Sequence, residues 1–125
     1  MIATYPNTSL YINGEWKQAK ACETLNVVNP ATEEVIGQVA HARQADLDEA
    51  IESANSGFNL WKQKTPLHRY KIMRKAADLL RERSERIAVI LTTEQGKPLQ
   101  ESKLEALIGA DRIDWMAEEG RRTYG

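Results

Sequence analysis

The stretch Leu10-Tyr11-Ile12-Asn13-Gly14-Glu15-Trp16-Lys17 decides how the first part of the chain folds. Leu10, Tyr11 and Ile12 are β-prone, and Asn-Gly supplies two residues that tolerate positive φ, as a type I′ hairpin turn requires. Glu15-Trp16-Lys17 reads as the returning strand. Further on, Leu25-Asn26-Val27-Val28 alternates and stops at Asn29-Pro30, because proline has no N–H to give a ladder. Residues 29–34 read as a turn, and Val35-Ile36-Gly37-Gln38-Val39 as the next strand. Residues 1–41 are therefore expected to form a short antiparallel β-meander, too thin to be stable by itself.

Near Ala42 the pattern changes from strand to helix. Leu47, Ala50, Ile51, Ala54, Phe58 and Trp61 recur at steps of three and four, with a start expected near Asp46 and Glu49 as capping partner. Thr65-Pro66 reads as a cap followed by proline at the first helical position. Leu67, Tyr70, Met73, Ala76, Ala77 and Leu80 then share a face. Ser84 is placed to cap a third helix carrying Ile87, Ala88, Ile90 and Leu91, which Gly96 ends as a left-handed cap. A fourth helix is expected from Pro98 to about Glu119, stopped by Gly120. The expected fold class is α+β: a β-meander (1–41) and then a layer of about four amphipathic helices (42–125).

With 125 residues, the chain is one domain's worth or a piece of a larger domain. Its 17 Lys and Arg nearly cancel 18 Asp and Glu, which excludes a strongly basic nucleic-acid binder and an acidic disordered tail. A single cysteine, Cys22, excludes an internal disulfide framework and a multi-cysteine metal site. No secretory leader and no long apolar run is legible, so the expectation is a cytoplasmic protein with no membrane partner.

Residues able to do chemistry are sparse. Cys22 lies in Lys20-Ala21-Cys22-Glu23, where Lys20 activates a thiol weakly and Glu23 opposes thiolate formation. His41 and His68, the only histidines, have no partner at metal-ligand or triad spacing. No glycine-rich phosphate loop occurs, and Gly96-Lys97-Pro98 reads as a helix cap and a new helix start. Glu101 and Glu105 at i and i+4, and the basic run from Arg69 to Arg83, read as solvated faces. The residues alone describe an α+β unit without legible catalytic machinery.

Read as strings, the residues say more. Tyr11-Ile12-Asn13-Gly14-Glu15-Trp16 is followed by Val28-Asn29-Pro30-Ala31-Thr32-Glu33. A helix carrying Ala50, Ala54 and Phe58 leads to Trp61, and Arg69 falls in the next helix. Glu94-Gln95-Gly96-Lys97-Pro98 precedes an acidic helix with Glu101 and Glu105. Trp115-Met116-Ala117-Glu118-Glu119-Gly120 then runs into Arg121-Arg122-Thr123-Tyr124-Gly125. Six such strings in order resemble the start of the NAD(P)-dependent aldehyde dehydrogenase superfamily, closest in appearance to its succinate-semialdehyde branch.

The resemblance implies that the chain is only the opening part of such an enzyme, roughly its first quarter. It implies the first part of an α/β cofactor-binding domain, with the catalytic domain absent. The family's cysteine nucleophile, glutamate base, asparagine oxyanion donor and dinucleotide-binding glycines all come later, so no catalytic or cofactor-binding residue is carried over. The parent enzyme is expected to oxidise an aldehyde to an acid with NAD or NADP, through a thiolate adduct and hydride transfer. The isolated chain is expected to be inactive and to bind no cofactor. Two sets of positions carry over. Backbone carbonyls of Val27 and Val28 with Glu94 match a monovalent-cation site, for which oxygen ligands suit a hard cation. Glu105 and Gly109 match positions bordering the substrate entrance. The expected partners are the remainder of the enzyme or a second copy, in a homo-oligomer, through apolar residues such as Leu99, Ala106, Ile113 and Trp115. A stand-alone helical interaction module, and a separately encoded subunit docking on a catalytic chain, remain as alternatives.

Overall fold

The structure, a computed structural model, describes residues 5–123. These form two compact units, residues 5–63 and residues 64–123.

The first unit contains every strand and one helix. Strands β1 (Leu10–Ile12) and β2 (Glu15–Lys17) pair antiparallel, with Ile12 opposite Glu15. That register leaves two loop residues, and both have positive φ: Asn13 at 55° and Gly14 at 80°. The type I′ turn is thus as read from Asn-Gly. Tyr11 faces Trp16 across the pair, their ring centroids 4.9 Å apart and tilted by 50°, an arrangement that suits aromatic quadrupoles. Strands β3 (Thr24–Val28) and β4 (Val35–Ala40) form a second antiparallel pair. Between them the Asn29 side chain accepts from Ala31 N–H at 2.9 Å, and Asn29 N–H donates to the Glu34 carbonyl at 2.9 Å.

The four strands do not make one meander; they make two separate two-stranded sheets. The physical reason lies between β2 and β3. There the Lys20 N–H donates to the Asp46 carboxylate and not to a neighbouring strand. The free edge of β4 is taken by Thr8, whose N–H reaches the Gln38 carbonyl and whose carbonyl accepts from Ala40 N–H. The chain turns at Cys22, where φ is 55° and the N–H donates back to the Ala19 carbonyl.

Helix α1 (Gln44–Trp61) starts two residues before the expected Asp46, with Arg43 as the N-cap residue. Asp46 acts from the third helical position. Its carboxylate accepts from the Arg43 N–H and from the Lys20 N–H, both at 2.9 Å, and the residue is buried. One acid therefore caps the helix and ties it to the segment after β2. The apolar face read from the sequence is present, but Leu47, Ile51 and Phe58 are exposed. Ile12 and Ala19 are the buried apolar residues of this unit.

The second unit consists of α2 (Pro66–Glu82), α3 (Ser84–Gln95) and α4 (Leu99–Glu119). Thr65 caps α2 as expected, its hydroxyl accepting from His68 N–H, and Pro66 occupies the first turn. Ser84 is inside α3 rather than capping it; Arg83 holds the cap position. Gly96 ends α3 at φ 72°, the left-handed conformation expected of it. Helices α2 and α4 run antiparallel: Tyr70 meets Arg121, Arg74 meets Asp114 and Arg81 meets Asp111. Their contact is built from small residues. Ala77 and Ala110 are fully buried, and Ala106 and Ala117 nearly so, while the buried Ser102 hydroxyl accepts from Thr92 of α3 at 2.9 Å. Ala106 is thus a core residue, not the exposed association residue expected of it. Leu99 and Trp115 are exposed, and Ile113 is half-buried. Among the described residues, no helix is long and apolar enough to cross a membrane.

Candidate functional site

Cys22, the only thiol, is exposed and lines an open polar pocket with Ser9, Gln18 and Glu23 among others. The Glu23 carboxylate is engaged by Arg43, whose Nε lies 2.9 Å away, and approached by His41 Nδ1 at 3.5 Å. The His41 imidazole thus faces Glu23. His68 sits in the first turn of α2 beside Lys71, Ile72 and Lys75, with no acid–base partner in that groove. Among the described residues, no three His, Cys, Asp or Glu side chains are grouped to hold a metal ion.

The strongest electrostatic cluster of the first unit is structural. Glu49 receives Lys17 at 2.7 Å and Lys20 at 2.9 Å, and these ammonium groups lower its pKa from 4.5 to about 2. Lys20 is raised in turn by the same hydrogen bond. Asp46 is held below the ordinary carboxylate range by the N–H groups of Arg43 and Lys20. In the second unit Arg81 bridges Asp111 at 2.7 Å and Asp114 at 2.6 Å, which raises the guanidinium pKa.

Glu105 and Gly109 lie together. They line one open groove on α4, of about 620 Å³, with Glu101, Leu104, Ile108 and Arg112. Positions 101, 105, 108 and 112 fall on one stripe because the helix turns 3.6 residues per revolution. Leu104 and Ile108 present exposed apolar walls. The Glu105 carboxylate is paired with the Lys97 ammonium. Gly109 is not required by packing: a Cβ there would meet Leu80 Cδ2 at 3.5 Å, an ordinary contact. Apolar periodicity along α4 does not single out Arg112. Its spacing of three from Gly109 and seven from Glu105 was the available signal.

The remaining carried-over positions fall in different units. Val27 and Val28 end β3 in the first unit, and the register of the β3–β4 ladder shifts between them. Glu94 lies in the last turn of α3 in the second unit, and is exposed.

Two short sheets, four amphipathic helices and an α4 groove behind the Gly96-Lys97-Pro98 break match a known architecture. The aldehyde dehydrogenase family matches residues 16–125, and the chain belongs to that family. It is 44% identical over 115 residues to a glutarate-semialdehyde dehydrogenase of Pseudomonas putida, covering 92% of this chain and 24% of the relative. The succinate-semialdehyde dehydrogenase structure from Burkholderia pseudomallei is 43% identical with a TM-score of 0.91, over 94% of this chain and 24% of that one. An NAD-dependent aldehyde dehydrogenase structure from Sinorhizobium meliloti is 28% identical with a TM-score of 0.92, over 96% and 24%. The chain spans about a quarter of the length of these relatives.

Proposed function

We propose that the chain is the N-terminal part of the cofactor-binding domain of an NAD(P)-dependent aldehyde dehydrogenase. The substrate class is an aldehyde bearing a carboxylate at its other end, oxidised to the dicarboxylic acid. The identity of 44% to a glutarate-semialdehyde dehydrogenase carries this reading. A physical observation supports it. Leu47, Ile51 and Phe58 in one unit, and Leu99, Trp115 and Met116 in the other, are large apolar side chains left in water. Faces of that kind belong to layers that further protein completes.

In this reading residues 1–41, which carry the strands, and residues 42–125, which carry the helices, are parts of one domain. The catalytic thiol, its base and the nucleotide site are supplied from beyond the segment. NAD or NADP would accept the hydride there. Residues of this chain contribute the scaffold and, through Glu105 and Gly109, one wall of the substrate entrance. By family likeness alone, the carbonyls of Val27 and Val28, with Glu94, are assigned to a monovalent cation in the complete enzyme.

The test is spectrophotometric. The complete enzyme should form NADH or NADPH with succinate or glutarate semialdehyde, while the 125-residue chain alone should form neither. Turnover by the chain alone that disappears in Cys22→Ala would overturn the assignment of the chemistry to other residues.

A further inference from the structure

The charged side chains of α4 differ in how they are satisfied. Lys103 pairs with Glu85, Glu105 with Lys97, Asp111 with Arg81, Asp114 with Arg74 and Arg81, Glu118 with Arg121 and Glu119 with Arg122. Among the described residues, Glu101 and Arg112 are the two charges of this helix with no ion pair, and both line the groove that holds Glu105 and Gly109. The sequence explains why Arg112 stands alone. Its neighbours at three and four residues are Ile108, Gly109, Trp115 and Met116, none of them charged. Eleven residues separate Glu101 from Arg112, about 16 Å along a helix rising 1.5 Å per residue.

The groove is therefore graded. It has a carboxylate at one end, a neutralised Glu105–Lys97 pair, apolar walls from Leu104 and Ile108, a notch at Gly109 and a guanidinium at the other end. An anion entering it is repelled at Glu101 and received at Arg112. Guanidinium recognises a carboxylate through two parallel N–H donors, more specifically than an ammonium does.

We propose that Arg112 is a specificity-determining residue that receives the distal carboxylate of the semialdehyde at the groove, Leu104 and Ile108 flanking its short aliphatic chain. This rests on the reading of the chain as part of a semialdehyde dehydrogenase, and it adds the group that tells a carboxylated aldehyde from a neutral one.

The test uses the complete enzyme, with succinate semialdehyde and butanal as substrates of equal carbon count. In Arg112→Gln the KM for succinate semialdehyde should rise about tenfold to a hundredfold, the loss expected for one charge-assisted hydrogen bond. The kcat/KM for butanal should change far less, by about twofold, because butanal has no carboxylate for Arg112 to receive. Arg112→Lys should recover part of the loss, and the preference for the carboxylated substrate should weaken with added salt. If the wild-type enzyme prefers succinate semialdehyde and Arg112→Gln leaves that preference intact, or weakens both substrates equally, this assignment fails alone. If the wild-type enzyme oxidises no aldehyde, the functional reading fails and takes this assignment with it.

Discussion

The two units of this chain solve the same problem by different means. Residues 64–123 are joined by close packing: Ala77, Ala106, Ala110 and Ala117 are buried and let α2 and α4 approach. Residues 5–63 have little such interior. Ile12 and Ala19 are their buried apolar side chains, and charged groups do the joining: Asp46 to the Lys20 N–H, Glu49 to Lys17 and Lys20, Glu23 to Arg43. A unit held by interdigitated methyl groups resists pH and salt but not added volume. A unit held by exposed ion pairs tolerates volume but not acid.

The sharpest way to break that comparison is Ala110→Leu. Three extra carbons at a fully buried helix contact should destabilise the helical unit by about 1–3 kcal/mol. Helical signal at 222 nm should melt earlier, while amide exchange protection in β3 and β4 stays as it was. Equal loss in both units would show that they are one cooperative body.

Acid provides the converse. The Glu49 pKa lies below its ordinary value, lowered from 4.5 to about 2 by Lys17 and Lys20. A depressed carboxylate contributes stability above the higher value and loses it as pH falls toward the lower one. The first unit should therefore weaken between about pH 4.5 and pH 2. The change should be smaller than that from Ala110→Leu, and Glu49→Gln should remove most of it. NMR of the β1–β2 amides through an acid titration reads this directly. An unchanged profile in Glu49→Gln would assign the acid sensitivity elsewhere.

The smallest effect is at Gly109. A mid-helix glycine that packing does not require should be improved by Ala, by about 0.5 kcal/mol in thermal unfolding of the helical unit. A loss of stability instead would mean that α2 and α4 need the missing methyl.

How far the sequence could be read follows from where each determinant lies. Asn13-Gly14, Thr65-Pro66 and Gly96 act on their own backbone, so the hairpin, the start of α2 and the end of α3 were legible. The start of α1 was not, because Asp46 caps from the third helical position and answers to Lys20, twenty-six residues away. The two-sheet arrangement was not legible either, since the segment after β2 is held by Asp46 through the Lys20 N–H and not by β3. Periodicity found the apolar face of α1 but could not say what covers it. At the groove, Glu105 and Gly109 entered through likeness to a family. Arg112 needed the structure, which shows it, among the described residues, to be one of two α4 charges without an ion pair.

Uncovered apolar surface is the feature both units share. Tyr11, Trp16, Leu25 and Phe58 in one, and Leu99, Trp115 and Met116 in the other, face water. If these are faces that further protein completes, the 125-residue chain by itself should cover them with a second copy. Sedimentation velocity at micromolar concentration tests this most directly. A dimer or larger assembly that shifts with concentration is the expected result. A sharp, concentration-independent species at the monomer mass of 14.1 kDa would contradict it.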